Sequence, residues 1–308
     1  MGGVPETSSP VSDSDSSASL AARGDEAELR RIAVDLAETA AAHVRARRPE
    51  VFGPAGAHDE GAVQVKQHPT DPVTIVDTET EDLIRGLLAE QRPQDPILGE
   101  EGGGSIDDTS ADVVHWVLDP IDGTVNFLYG IPGYAVSVAA MRGGRPVAGA
   151  VVDVARTATY SAGLGLGALR VDADGAVEHL RCSAAKTVEL ALVATGFAYG
   201  KHRRVRQAEL IAQVLGQVRD IRRFGSAALD LCNVAAGRVD AYFEHGLNAW
   251  DWGAGALIAA EAGARLTLPP ATAPGSAGDL VIASAPGIAD ELAALLAAVG
   301  ATEPIPDR

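Results

Sequence analysis

From Asp25 to about Arg47, apolar side chains recur at helical spacing (Leu29, Ile32, Ala33, Leu36, Ala40) in an Ala-rich frame that favours helix. The period is lost across "RPEVFGPAGAHDEGAVQ", a long Gly-rich stretch expected to be a mobile loop. "PVTIV" predicts a short strand, and "DTETEDLIRGLLAEQRP" predicts a helix with Asp/Thr at its start and Pro at its end. "PILGEEGGG" reads as a strand running into acids and glycines. From Tyr134 to about Arg181, "YAVSVAAM", "RPVAGAVVDV", "ATYSA" and "GALRV" are separated by "RGG" and "GLGLG", as successive antiparallel strands are. The pattern then alternates. "LALVATGF", "DIRRF", "AYFE", "ARLTL" and "DLVIAS" read as strands, with helices over 201–218, 225–237, 250–262 and 287–299. This predicts an α+β half followed by an α/β half, joined near 183–190, with boundaries set at 25–186 and 187–308. The Ser/Gly/Pro-rich residues 1–24 lack large apolar groups and are expected to be a disordered tail.

Composition narrows the function classes. The 308 residues are 46% apolar and 22% charged, the balance of a globular protein with a sizeable core. No run approaches the roughly 18–20 apolar residues of a membrane span, and the N-terminus lacks a basic-then-apolar signal pattern. A cytoplasmic location with no membrane attachment is expected. Cys182 and Cys232 have no metal-like neighbours and are read as free thiols. A net charge of −17 argues against nucleic acid as a partner, so "VRARR" and "KHRRVR" are read as solvated helix faces. The same acidity argues against an anionic substrate unless cations intervene.

The chemistry concentrates where apolar strands end. "WVLDPIDGTVNF" runs a buried strand into Asp119 and Asp122, with Pro120 favouring an extended Asp119. The two carboxylates and the carbonyl of Ile121 can then converge, while Gly123 admits close approach and Thr124 offers a hydroxyl at a helix start. An all-oxygen set suits a hard cation such as Mg²⁺. The same residues also fit an Asx-type turn leading into a helix N-cap. Glu100 and Glu101 follow "PIL" and Gly99, and they fit either a solvated pair or a site. Asp251 opens the Ala/Gly-rich helix "AWDWGAGALIAAEAG" as a cap or a ligand, and Asp77 is read at the C-terminal end of a strand. Among the seven scattered histidines, only His245, beside Glu244, has a seat near such a site.

"LGEE", "WVLDPIDGTVNF" and "WDWGAGALIAAEAG" resemble the three signatures of the inositol monophosphatase family of Mg²⁺-dependent, lithium-sensitive phosphatases. "DPVTIVD" resembles that family's further aspartate-bearing stretch, and the resemblance covers roughly residues 26–303. Within the family, "RRFGSAALDLCNVAAGRVDAYFEHG" looks most like bacterial SuhB-type inositol-1-monophosphatases. The resemblance implies a layered α-β-α-β-α sandwich, an antiparallel N-terminal sheet and a mixed C-terminal sheet, with the site at their interface. It implies two to three Mg²⁺ ions, a homodimer and a small polyol phosphate substrate, with myo-inositol 1-phosphate foremost.

Position by position, the resemblance implies Glu100, Asp119 and the Ile121 carbonyl as ligands of one ion, and Asp119, Asp122 and Asp251 as ligands of a second. Glu100 also lies beside a weaker third ion. Asp77 and Thr124 match the pair that orients and deprotonates the attacking water. Gly123 and Thr124 would present backbone N–H groups to phosphate. Glu244 matches an acceptor of ring hydroxyls, and Gly225, Ser226 and Ala227, with Arg222 before them, match the substrate-facing loop. Lys66 resembles the basic residue of a mobile loop that completes the site. Histidinol-phosphate, fructose-1,6-bisphosphate and 3′-phosphoadenosine phosphatases share this metal core, so the ligands do not choose among substrates. Some SuhB-type proteins also act with the transcription machinery.

Overall fold

The computed structural model describes residues 13–53, 61–66, 68–106, 110 and 112–307. Helix α1 spans Asp13–Val51 and α2 spans Ile75–Gln91. Leu29, Ile32, Ala33, Leu36, Ala37, Ala40, Ala41 and Val44 form the buried stripe of α1, as the spacing predicts. The helix begins earlier than expected, because extending a packed helix through Ala- and Ser-rich sequence avoids a new nucleation cost. Residues 1–12 of the expected tail, and 54–60 of the expected mobile loop, lie outside the described residues.

A seven-stranded sheet is built in chain order from β3 (Ile97–Gly99), β4 (His115–Asp122), β5 (Ala135–Arg142), β6 (Arg145–Asp153), β7 (Ala158–Gly163), β8 (Gly167–Val171) and β9 (Val177–His179). It is antiparallel except for the β3–β4 edge, where Ile97 pairs with Trp116 in parallel. A small hairpin, β1 (Val63–Val65) and β2 (Pro72–Thr74), precedes α2.

The second sheet has the order β11-β10-β12-β14-β13, from β10 (Leu192–Thr195), β11 (Asp220–Arg222), β12 (Ala241–His245), β13 (Arg265–Thr267) and β14 (Leu280–Ser284). It is mixed: β10 lies parallel to both β11 and β12, and β14 runs antiparallel to β12 and β13. The remaining helices are α3 (Thr124–Tyr129), α4 (Lys201–Val214), α5 (Ala227–Ala235), α6 (Ala249–Glu261) and α7 (Ala289–Ala298).

Three cores stack these elements into the expected five layers. Helices α1 and α2 cover one face of the large sheet through Trp116, Leu118, Val136, Val138 and Ala150. Helices α5 and α6 fill the middle, touching Val117, Ala139 and Met141 on one side and Tyr242, Val281 and Ala283 on the other. Helices α4 and α7 close the far face through Leu210, Val214, Leu292 and Leu296. The middle layer is thin because its contacts use small residues. A Cβ on Gly149 would lie 3.0 Å from Ala254 Cα, and one on Gly255 would lie 2.9 Å from Leu231 Cβ.

Among the described residues no helix is long and apolar enough to cross a membrane. The expectation of solvated basic faces fails at two positions. Arg48 donates to the Phe127 carbonyl at 3.0 Å and lies over the Phe127 ring. Arg203 is buried and donates to the carbonyls of Ile305, Gly275 and Ser276.

Candidate active site

Two helix N-termini supply Asp77 and Asp251, the end of β4 supplies Asp119 and Asp122, and the turn after β3 supplies Glu100. Asp77 is the third residue of α2, a correction to the strand-end reading. Thr74 caps the helix: its N–H donates to Asp77 Oδ2 at 2.9 Å, and its Oγ1 accepts from the N–H groups of Val76 and Asp77. This reciprocal arrangement is a capping box, and it overrides the strand preference of β-branched Ile75 and Val76. The other oxygen of Asp77 faces Thr124, whose Oγ1 lies 3.2 Å from Asp77 Oδ1 and 3.0 Å from the Ile121 carbonyl. A hydroxyl has one proton, so it donates to one of these at a time. Burial raises the Asp77 pKa to about 7, against opposing hydrogen bonds from Thr74.

Asp119 pairs with Ser137 and Asp122 with Ala135, and the register of β4 against β5 shifts between them, so that Pro120 and Ile121 form the irregularity that separates the two aspartates. Asp119 accepts from the N–H of Ile121 at 3.1 Å. Burial, and then the charges of Glu100, Asp122 and Asp251, push its pKa well up. Asp122 is gripped by the start of α5: Ser226 Oγ donates to it at 2.5 Å, Ala228 N–H at 2.8 Å and Ala227 N–H at 3.3 Å. Burial moves its pKa up to about 6, the grip of α5 holding it lower than burial alone would. Asp251 is the third residue of α6 and accepts from the N–H of Asn248 at 2.6 Å. Its pKa is driven well up by burial and then by Glu100 and Asp122.

Ligand atoms of Asp119, Asp122 and Asp251 lie within 4.8 Å of one another. Glu100 is not one of that set, and Lys66 Nζ reaches it at 2.7 Å and Glu101 at 2.6 Å. Burial alone would lower the Lys66 pKa, but the two glutamates more than reverse it. Three converging carboxylates of this kind, with an ammonium already drawn to their neighbours, fit a hard cation. Two like charges about 4 Å apart repel by about 4 kcal/mol at an effective dielectric near 20.

The acids open into a cleft of about 460 Å³, a volume suited to a small ligand. Glu100, Asp122, Gly123, Gly225, Ser226, Ala227, Glu244, Asp251 and Lys66 line it, and Asp77, Asp119, Ile121 and Thr124 are buried. Gly123 has φ 93°, and a Cβ there would meet the carbonyls of Gly133 and Gly225 at 2.9 and 3.0 Å. Glu244 receives the hydroxyl of Tyr242 at 2.6 Å, and burial raises its pKa to about 7.

Arg222 is not brought to the cleft: it pairs with Asp220 at 2.5 Å, and its neighbour Arg223 lines the cleft instead. His245 lines the cleft, with Nε2 donating to the Ala301 carbonyl at 2.8 Å, and His68 joins it there. Sequence reasoning missed Thr74, although Thr-x-x-Asp is a legible helix-start signal. It also missed Tyr242, which alternation along β12 does not mark as a hydrogen-bond donor to Glu244.

A family model described as the inositol monophosphatase family matches residues 25–301. Inositol-1-monophosphatase SuhB of Mycobacterium tuberculosis is 60% identical over 285 residues, 91% of this chain and 97% of that protein. The solved structure of Mycobacterium tuberculosis SuhB matches with a TM-score of 0.75 and 53% identity, covering 90% of this chain and 98% of that one. Nus factor SuhB of Pseudomonas aeruginosa is 42% identical over 199 residues, 63% of this chain and 70% of that protein.

Proposed function

We propose a reaction from one premise: this chain belongs to the inositol monophosphatase family. It is an inositol-phosphate phosphatase, a phosphoric monoester hydrolase. The substrate assigned is myo-inositol 1-phosphate, hydrolysed to inositol and phosphate with Mg²⁺. The observation that carries the reading is one cleft joining Asp122 and Asp251 of the acidic trio to Glu244.

Asp119, Asp122 and Asp251, with Glu100 and the Ile121 carbonyl, would hold two Mg²⁺ ions, and Glu100 a third more weakly. Bound Mg²⁺ supplies positive charge for the phosphate and the leaving oxygen and makes water more acidic. The chain's own groups do the rest. Water attacks phosphorus in line as the bond to the inositol oxygen breaks. Thr124 Oγ1 takes the water's proton and passes its own to Asp77 Oδ1, and the departing inositol oxygen takes up a proton from solvent. A carboxylate with a pKa of about 7 is a competent base near neutrality. Ser226 is committed to Asp122 and Cys232 is buried in the apolar core, which supports attack by water without a phosphoenzyme. Backbone N–H groups of Gly123 and Thr124 face the phosphate, and Lys66 closes over it from the β1–β2 hairpin. Glu244 accepts hydrogen bonds from the polyol, with Gly225, Ser226 and Ala227 along the same wall.

The division into subdomains 25–186 and 187–308 puts this site between them, consistent with lining residues drawn from both stretches. The unit is assigned as a lithium-sensitive, cytoplasmic homodimer, on the family resemblance and two free cysteines. A panel of inositol 1-phosphate, histidinol phosphate, fructose 1,6-bisphosphate and 3′-phosphoadenosine 5′-phosphate, assayed with and without Mg²⁺, tests the assignment. Preference for inositol 1-phosphate is expected, and clear preference for another ester overturns it. Relatives named Nus factor support a second, protein-binding role with the transcription machinery. Pull-down with Asp119→Asn tests that role, and loss of binding together with turnover would count against a separate function.

A further inference from the structure

We propose that Glu81 is a positioning residue: a buried clamp on α2 that sets where Glu100 presents its carboxylate. The proposal rests on the reading of Glu100 as a cation ligand. Glu81 lies one turn after Asp77 on α2, and Arg85 one turn further, so the three share a helix face. The Glu81 side chain is 2% exposed. Its Oε2 accepts from the N–H of Glu101 at 2.7 Å, and its Oε1 from the N–H of Gly102 at 2.8 Å and from Arg85 Nε at 2.7 Å. Arg85 in turn donates to the Gly103 carbonyl at 2.6 Å, the same oxygen that accepts from Gly99 N–H at 3.0 Å. The turn that carries Glu100 and Glu101 is therefore held at both its N–H and its carbonyl groups by one pair of helix side chains.

The flanking glycines make room for this clamp. A Cβ on Gly99 would fall 2.1 Å from Glu81 Oε1, and one on Gly102 would fall 2.6 Å from the same atom. Glu100 is thus fixed from two directions. Its own N–H donates to the Leu118 carbonyl at 3.2 Å, the residue before Asp119, and the next N–H donates to Glu81. One peptide group ties Glu100 to the Asp119 strand, and one helical turn ties it to Asp77. A fully hydrogen-bonded buried carboxylate that touches neither substrate nor the acidic trio acts through the backbone it holds.

Glu81→Gln replaces one acceptor oxygen with an amide that cannot accept from all three donors. Gly102→Ala keeps both clamp side chains and adds a methyl at an exposed position outside the left-handed region, displacing the Glu81 carboxylate. Mg²⁺ titrated calorimetrically into each metal-free variant is expected to bind about 10-fold or more weakly than to the native chain, as for groups that orient ligands. KM for inositol 1-phosphate at saturating Mg²⁺ should stay within about twofold, since the polyol wall is untouched. The alanine variant keeps the test informative if the glutamine variant fails to fold. Native Mg²⁺ affinity in folded Gly102→Ala or Glu81→Gln overturns the clamp. A native chain that binds no Mg²⁺ overturns the metal reading instead, a result distinct from the first.

Discussion

Among the site residues, the convergence of the buried acids was the easiest feature to anticipate. Asp119 and Asp122 stood out because a carboxylate at the end of an apolar strand demands a partner, Asp251 because it opens an otherwise apolar helix, and the structure brings their oxygens together. Arg222 and Arg223 could not be separated the same way, since which neighbour faces a cleft depends on how a strand leaves its sheet. Arg222 ends β11 beside Asp220, and Arg223 turns inward. The raised pKa of Asp119, from burial and then from Glu100, Asp122 and Asp251, implies that the metal-free site is under electrostatic load. Asp119→Asn is therefore expected to melt higher than the native chain without Mg²⁺, while losing turnover by roughly a thousandfold, about 4 kcal/mol. Equal melting temperatures would indicate that the acids do not repel. Glu244→Gln is expected to raise KM for inositol 1-phosphate by about tenfold while Mg²⁺ affinity stays native, measured by steady-state kinetics beside calorimetry. A tenfold loss confined to kcat would place Glu244 in the chemistry rather than in recognition.

Helices and strands were legible wherever an apolar period ran long enough, as on α1 and along β5 to β8. Short elements misled where a cap competed with propensity. Thr74 turns "TIVD" into the first turn of α2, and no periodicity over four residues could have decided that. Helix α5 shows what such a helix start does for the site. Ser226 caps Leu229 at 3.3 Å while its hydroxyl, with two following N–H groups, holds Asp122. The α5–α6 contact fixes that helix, so Gly255→Ala, which sets a methyl 2.9 Å from Leu231 Cβ and 3.1 Å from the Ala228 carbonyl, is a direct probe. The expected cost is about 1–3 kcal/mol, a melting temperature lower by roughly 2–5 °C, with reduced turnover as α5 shifts off Asp122. An unchanged melting temperature would mean that the two helices tolerate a wider spacing.

At the scale of the whole molecule, alternation along the chain anticipated an α+β half followed by an α/β half, while the five-layer stack was legible only through the family resemblance. The parallel β3–β4 edge and the crossing of β14 between β12 and β13 depend on long-range pairing that local pattern does not encode. Stability as a function of pH belongs to this scale, because several buried acids titrate together. Burial raises Asp77 to about 7 and Asp122 to about 6, from ordinary values of 3.8. A folded pKa above the unfolded one means the unfolded chain ionises first, so these groups cost stability as pH rises from about 4 to about 7. Metal-free protein should melt higher near about pH 5.5 than near about pH 8, and Mg²⁺ should raise the melting temperature more at the higher pH. Calorimetric scans showing the opposite pH order would remove the acids from the balance. The spare middle layer has its own consequence. Helix α6 acts as a shim whose thickness is set by absent methyl groups, and it carries Asp251 at its leading end. The two sheets are gauged against α6 and the α5 packed on it, so the offset between the acids on one side and Glu244 on the other is machined into the molecule's interior.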